Sequence, residues 1–119
     1  MANPNIVDVT SIYGKTAVAD LTTSVSALVS NSAASGKILK INSLVVSNID
    51  GSNAADITVD LFRSSTAYNL IKTVSVPADA SLVVISKETS IYLEEGDSLR
   101  CTAGADSDLQ AICSYEEIS

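Results

Sequence analysis

The stretch "IYLEEGDSLR", residues 91 to 100, places Glu94, Glu95 and Asp97 close together in a chain that has no histidine. Neighbouring carboxylates can act as a general acid and base, or they can bind a divalent cation. A pair of carboxyl groups flanking a sugar is also the machinery of glycoside hydrolysis. These are the residues of the chain whose type and spacing most resemble an active site.

The spacing of these acids argues against a catalytic pair. Adjacent strand residues point to opposite faces, so Glu94 and Glu95 do not share one cleft. Glu95 and Asp97 could lie on one side, but Gly96 between them indicates a turn. A sugar site would also need aromatic platforms, and the chain has 1 Phe, 4 Tyr and no Trp. We therefore predict a solvated strand–turn–strand here.

Two further motifs lack residues that their chemistry requires. "YGKTA" (13 to 17) contains Gly-Lys-Thr, but a phosphate-binding loop needs another glycine where this chain has Val9. Serine nucleophiles have no histidine partner, and no Gly-x-Ser-x-Gly elbow is present. We predict no catalytic residues, no cofactor-binding residues and no enzymatic activity.

Acidic turns are the remaining candidates for a metal site. "DGSNAAD" (50 to 56) and "GADSD" (104 to 108) supply oxygen atoms that suit Ca²⁺. Neither has the spaced ligands and closing glutamate of an EF-hand loop. Turn chemistry is the favoured interpretation, and we predict no metal residues, although the sequence leaves Ca²⁺ binding at these turns open.

Cys101 and Cys113 are the only cysteines. Two cysteines without histidine cannot complete a zinc site. We predict two buried free thiols that face the core. If a hairpin centres on Ser107, the two cysteines lie directly opposite each other on neighbouring antiparallel strands, within reach of an opportunistic disulfide.

The composition indicates what kind of fold must position these residues. At 119 residues, the chain can bury one core. Its hydrophobic content is 46%, but only 4% of residues are aromatic, so the core must consist mostly of Ala, Val, Ile and Leu. Abundant Val, Ile, Ser and Thr favour strands over helices. Since only 18% of residues are charged, the surface must be rich in hydroxyl and amide groups, which suits a protein covered by neighbours.

Strand and turn patterns alternate from residue 37 onward. "KILKINSLVVSN" (37 to 48) predicts a long strand with a bulge, because no single parity holds all its apolar residues, and "ITVDLF" (57 to 62) alternates cleanly. "SLVVIS" (81 to 86) is an apolar run typical of a strand buried on both faces. In the strand that Pro77 ends, the residues predicted to be in phase are Tyr68, Leu70, Val74 and Val76. We predict an all-β fold, an antiparallel β-sandwich or jelly roll of about eight strands.

The first 35 residues differ from the rest. They have strand propensity but small side chains and a shallow apolar pattern, and "NSAASG" (31 to 36) is typical of a flexible joint. We predict that residues 1 to 35 are an N-terminal arm or edge hairpin, which completes its packing elsewhere. Residues 36 to 119 are predicted to form the sandwich domain.

The charge of the chain excludes several partners. The formal net charge is −7, and the seven basic residues are scattered rather than clustered. We therefore predict binding neither to nucleic acid nor to an anionic membrane surface. No apolar run exceeds four residues, and "MANPNIVDV" lacks the basic and apolar regions of a signal peptide. Assembly in a host cytoplasm is the expectation.

Several segments resemble the small virion structural proteins of tailed bacteriophages, especially those of marine cyanobacteria. The similarity covers nearly the whole chain, and its most distinctive pieces are "VPADASLVVI", "YLEEGDSLR" and the terminal "SYEEIS". In such proteins the pattern L-x-x-GD-S-L looks like a corner leading into a late sandwich strand. The resemblance implies a sandwich or jelly roll within the virion, without catalysis.

The resemblance leaves the place in the particle open. The leading hypothesis is a capsid decoration (cement) protein, which binds the assembled head shell as a symmetric homo-oligomer. Its partners would be the major capsid protein or other virion proteins. A neck, tail or fibre-adaptor component would share every feature named above. A carbohydrate-binding adhesion domain is a third hypothesis, against which the low aromatic content argues.

Overall fold

The computed structural model describes residues 4 to 119, and their regular structure is almost entirely strand. The elements are β1 (Ile12–Asp20), β2 (Ser26–Ser30), β3 (Ile38–Asn48), β4 (Ala55–Arg63), β5 (Thr66–Val76), β6 (Ser81–Ile85), β7 (Ile91–Leu93), β8 (Ser98–Ala103) and β9 (Leu109–Ile118). One 3₁₀ turn, Lys87–Thr89, lies between β6 and β7. The described residues contain no helix long and apolar enough to cross a membrane.

The strands form two antiparallel sheets packed face to face. One sheet has the order β1-β9-β3-β6, with β7 also pairing to β3, and the other has the order β2-β8-β4-β5. Apart from the short β7, this is the strand order of a jelly roll, in which the two chain ends meet in one sheet. The prediction of an all-β sandwich is confirmed, with nine strands among residues 4 to 119 in place of about eight.

The core lies between the two sheets and is aliphatic, as the composition requires. Its fully buried side chains come from the inward positions of both sheets, for example Leu44 and Val46 on β3 and Ile57 and Val59 on β4. Alternating strand residues supply this layer because successive side chains point to opposite faces.

The predicted bulge in the strand over residues 37 to 48 is confirmed. The pairing of β3 with β9 shifts register between Ile41 and Ser43. This shift keeps Ile41, Leu44 and Val46 on the buried face although they do not share one parity in sequence.

Two strand predictions are wrong. Residues 81 to 86 are not buried on both faces, because β6 is an edge strand whose Val83 is exposed. Tyr68 and Leu70 do not join Val76 in the core and are exposed instead. The pairing of β5 with β4 shifts register twice, so Ile71 takes the inward position opposite Val59.

The predicted N-terminal arm contributes a strand to each sheet. β1 pairs with β9, and β2 pairs with β8 in the other sheet, so these two strands do not pair with each other as a hairpin. Leu21 and Val29 of this segment are buried in the common core. Residues 1 to 3 of the predicted arm lie outside the described residues, and the boundary at residue 35 stays a prediction.

Candidate assembly surfaces

The stretch that resembles an active site is a tight turn between β7 and β8. The N–H of Asp97 donates to the carbonyl of Glu94 at 3.0 Å, and Gly96 has φ +87°, the left-handed conformation that favours glycine. The Asp97 carboxylate accepts a 2.9 Å hydrogen bond from the N–H of Glu94. Leu99 then returns to the core with no exposed surface. The predicted turn at Gly96 is confirmed, and Asp97 caps it.

The prediction that these acids are solvated is wrong for Glu95 and Asp97, which are both buried. The guanidinium of Arg63, at the end of β4, binds Asp97 through both oxygens, with Nε 2.9 Å from Oδ1. Arg63 also contacts Glu94 at 2.7 Å, and these two carboxylates raise the pKa of its guanidinium further above neutral pH. A shallow depression of about 370 Å³ lies over the turn.

Glu95 turns away from that ion pair and fixes the N-terminal segment. Its Oε2 accepts a hydrogen bond of 2.8 Å from the N–H of Gly36. Asn31 donates from its side chain to the carbonyls of Lys37 and Leu93, each at 3.0 Å. The stretch that sequence predicts to be a flexible joint is therefore tied to the turn. These carboxylates accept hydrogen bonds from N–H and guanidinium groups of the protein itself. They do not face each other as a general acid and a general base would across a substrate.

The acidic turns use their oxygens on backbone N–H groups of the protein. In the turn over residues 104 to 108, Asp106 Oδ1 accepts a hydrogen bond of 2.8 Å from the N–H of Thr23. Asp50 Oδ1 accepts hydrogen bonds from the N–H groups of Ser52 and Asn53 at 2.8 and 3.2 Å, which lowers the pKa of Asp50. Loss of solvent and the neighbouring Asp50 raise the pKa of Asp108. Among residues 4 to 119, no group of three His, Cys, Asp or Glu side chains is placed to hold a metal ion. The absence of a metal site stays a prediction.

Both cysteines are buried free thiols, as predicted, but their predicted pairing is wrong. Cys101 lies on β8, opposite Val59, whereas Cys113 lies on β9 in the other sheet, opposite Leu44. The turn over residues 104 to 108 carries the chain from one sheet to the other instead of closing a hairpin. Burial raises the pKa of Cys101 to about 12 and that of Cys113 to about 11. Both thiols are therefore protonated at neutral pH.

The outer face of the four-stranded sheet carries an ion pair between two neighbouring strands. Arg100 on β8 donates from Nε to Asp60 Oδ1 at 2.8 Å and from Nη2 to Oδ2 at 3.2 Å. Its guanidinium carbon also lies 3.9 Å from the centre of the Phe62 ring. Asp60 is thereby buried on a face that sequence alternation assigns to solvent.

The outer face of the five-stranded sheet carries an exposed apolar row. Val18 pairs with Ile112, Ile112 with Val45, and Val45 with Val83, so these four side chains stand side by side across four strands. The side chains of Val18, Ile112 and Val83 are 71%, 47% and 59% exposed. We call these four residues the apolar row. A shallow depression of about 300 Å³ lies between Val18 and Ile112.

Polar rows flank the apolar row on both sides. On one side Asp20, Gln110, Ser47 and Ser81 pair across the same strands, and the Gln110 amide donates to Asp20 at 2.8 Å. On the other side Thr16, Ser114 and Ser43 form a hydroxyl row. An apolar stripe with a border of hydroxyl, amide and carboxylate groups is the composition of a contact surface with a dry centre and a polar rim. Sequence gives no signal for it, because its four members lie on four separated strands.

A further ion-pair group lies at the other end of this sheet. Glu117 on β9 accepts from Lys15 at 2.9 Å and from Lys37 at 3.1 Å. The hydrogen bonds from Lys15 and then Lys37 lower the pKa of Glu117, and Glu117 raises the pKa of Lys15. This group joins β1, β9 and the start of β3.

Comparison with known proteins finds no matching family model and no matching curated protein. Among solved structures, a chain from the endospore appendages of Bacillus, a family of disulfide-linked pili, is similar with 14% identity and a TM-score of 0.52, over 92% of this chain and 88% of that one. A chain from the acid-stable capsid of Helicobacter pylori bacteriophage KHP30 is similar with 7% identity and a TM-score of 0.53, over 94% and 90%. At these identities the similarity shows the fold alone.

Proposed function

We propose that this protein is a non-enzymatic structural component of a bacteriophage virion, and specifically a decoration protein that binds the assembled head shell. The observation that carries the proposal is the apolar row, which runs across four strands of a sheet face whose neighbouring rows are polar. Single exposed apolar residues are ordinary on a soluble protein, whereas contiguous apolar patches often mark a contact site. The resemblance of the sequence to small virion proteins supports the choice of a virion as the setting, and the sandwich fold is compatible with it.

The two sheet faces differ in what they offer a partner. On the four-stranded sheet, Asp60 and Arg100 already satisfy each other, so a partner would gain little there. On the five-stranded sheet, the apolar row would lose water on contact, at roughly 25 cal/mol for each Å² of apolar surface buried. The hydroxyl and amide rows beside it can exchange water for hydrogen bonds at the rim. We propose that this face lies against the shell.

Copy number in purified particles tests the place of the protein. We expect quantitative mass spectrometry to find hundreds of copies per particle, and antibody labelling to mark the whole head. Tens of copies or fewer, with label at the neck or tail, would instead assign the protein to the connector or tail. Absence from the particle would refute the virion role.

Binding to particles that lack the protein tests the face. The substitutions Val83→Asp and Ile112→Asp place a charge in the apolar row and should reduce occupancy at least tenfold. Val25→Asp is the matched control, because Val25 is 50% exposed but lies in the connection between β1 and β2. Equal occupancy for all three variants would show that the row is not the contact.

A further inference from the structure

The free edge of β1 is arranged to pair with another strand. The Ser11 N–H donates to the Ser119 carbonyl at 2.9 Å, and the Ser119 N–H donates back to Ser11 at 2.9 Å. Leu21 donates to the Leu109 carbonyl in the same ladder. Because bonded and non-bonded positions alternate in an antiparallel pair, the odd-numbered residues of β1 bond to β9. The even-numbered residues, from Ile12 to Asp20, therefore direct their N–H and C=O groups away from the sheet.

The other edge strands, β2, β5, β6 and the three-residue β7, are short or irregular, which discourages such pairing, whereas β1 is long and regular and its one lysine, Lys15, is held by Glu117. β2 and β6 are five residues long, and their ladders are interrupted by register shifts. β5 is longer but shifts register twice against β4, and its Thr73 has φ +54°. β1 runs nine residues against β9 without a shift. Short, bulged edges are a usual protection against strand addition, and among the edge strands of residues 4 to 119 β1 is the long one without a bulge.

We propose that two copies of this chain pair their β1 strands in antiparallel orientation about a two-fold axis at Thr16. Full overlap of two identical nine-residue strands places Thr16 opposite Thr16 of the second copy and Gly14 opposite its Val18. All of these are even-numbered positions, whose free backbone groups face each other in this register. The two sheets become one continuous sheet, and the contact is isologous, as expected of a dimer.

The side chains of β1 are self-complementary in this register. Val18 is the most exposed apolar residue of the strand, and it lies opposite Gly14 of the second copy. No atom lies within 4 Å of the position that a Cβ on Gly14 would take, so there is room for the valine side chain. On the opposite face of the strand, Tyr13 lies opposite Ala19 and Lys15 opposite Ala17. Val18, Tyr13 and Lys15 therefore each meet a small residue, Ile12 lies opposite Asp20, and no two like charges are directly opposed.

This inference deepens the proposed assembly role and rests on it, because a paired β1 explains how a small decoration protein forms a symmetric cluster. The outcomes of the two tests can be told apart. A strictly monomeric chain that still labels the phage head would refute the β1 pairing alone. A dimer that is absent from particles would refute the virion role and leave the pairing intact.

Light scattering coupled to gel filtration is the first test, performed on the full chain. We expect a mass twice that of the 12.3 kDa chain. Thr16→Pro removes an outward N–H without breaking the β1–β9 ladder, so it should give a folded monomer with an unchanged far-ultraviolet spectrum. Thr16→Val is the control, because it keeps the N–H and the branched shape and should stay dimeric. A monomeric parent chain, or a dimeric Thr16→Pro variant, would overturn the proposal.

Directed disulfides test the register independently of proline. In the variant Gly14→Cys/Val18→Cys, the two thiols of one chain are four residues, or about 13 Å, apart and cannot bridge. Across the proposed axis they are directly opposed at about 5.5 Å between Cα atoms, so mild oxidation should give a covalent dimer. The variant Ile12→Cys/Val18→Cys would be opposed only after a shift of two residues. Bridging in this control but not in the first variant would overturn the register.

Discussion

The ion pair between Asp97 and Arg63 joins the turn after β7 to the end of β4, and its loss should weaken the fold. Asp97→Ala removes the bidentate contact from Arg63 and the hydrogen bond from the N–H of Glu94. The Asp97 side chain is only 2% exposed, so its hydrogen bonds are formed away from water. Hydrogen bonds to a charged group contribute about 1.5 to 3 kcal/mol each, and the loss leaves a backbone donor without its acceptor.

The expected loss of stability is limited because Arg63 keeps its contact with Glu94. Its side chain is 40% exposed and stays in contact with Glu94, so the arginine is not left as an uncompensated buried charge. We therefore expect less than the roughly 3 to 5 kcal/mol typical of breaking a fully buried pair, namely about 2 to 4 kcal/mol. For a chain of this length, about 4 °C per kcal/mol converts that to a Tm decrease of about 8 to 16 °C. Asp97→Asn, which keeps the shape and one acceptor, should lose about half as much free energy.

Urea unfolding followed by far-ultraviolet circular dichroism measures the effect, with protein concentration held constant because assembly shifts apparent stability. Glu94→Ala is the matched control: it removes a carboxylate from the same arginine, but at a side chain 45% exposed. It should cost less than about 1 kcal/mol. In a double-mutant cycle, Asp97→Ala and Arg63→Ala should show a coupling energy above about 1 kcal/mol. If the Asp97 and Glu94 variants were equally destabilised, the assignment of the ion pair as a structural clamp would be wrong.

Three further outcomes are expected. Burial raises the pKa of the Cys101 thiol to about 12 and that of the Cys113 thiol to about 11, so iodoacetamide at neutral pH should modify them only after unfolding. Rapid modification of the native protein would contradict their buried placement. Because two lysines lower the pKa of Glu117 below its ordinary value of 4.5, its stabilisation is present above that value and is lost as pH falls through the lower folded value. The parent chain should thus lose more stability between pH 6 and 3 than Glu117→Gln, and parallel pH profiles would count against this. Finally, Gly96→Ala should lower the free energy of unfolding in urea by about 1 to 2 kcal/mol, because Gly96 has φ +87°. The control Gly51→Ala should lower it less, because the added carbon meets only ordinary van der Waals contacts. Equal losses would rule out a role for the positive φ.

The strand content and several local details could be predicted from the residues alone. An aliphatic, β-branched composition with few helix formers determines an all-β fold, since such side chains pack well only on a pleated surface. The bulge in β3 follows from the mixed parity of its apolar residues. The corner at Gly96 and Asp97 follows from turn chemistry, which depends on the conformational freedom of one glycine and one short acceptor. The composition is a property of the whole chain irrespective of residue order, and the bulge and the corner are each properties of at most a dozen consecutive residues.

Tertiary structure alone decided which strands are neighbours. The separation of Cys101 from Cys113 into different sheets depends on the chain crossing at residues 104 to 108, and crossings and hairpins use the same turn residues. The partnership of Asp97 with Arg63 joins positions more than thirty residues apart. The apolar row is assembled from four strands, each of which contributes one outward residue that looks unremarkable by itself. Local sequence sets how each strand presents its side chains, whereas the order of strands in a sheet is set by burying all of the inward faces at once, and that is a property of the whole chain.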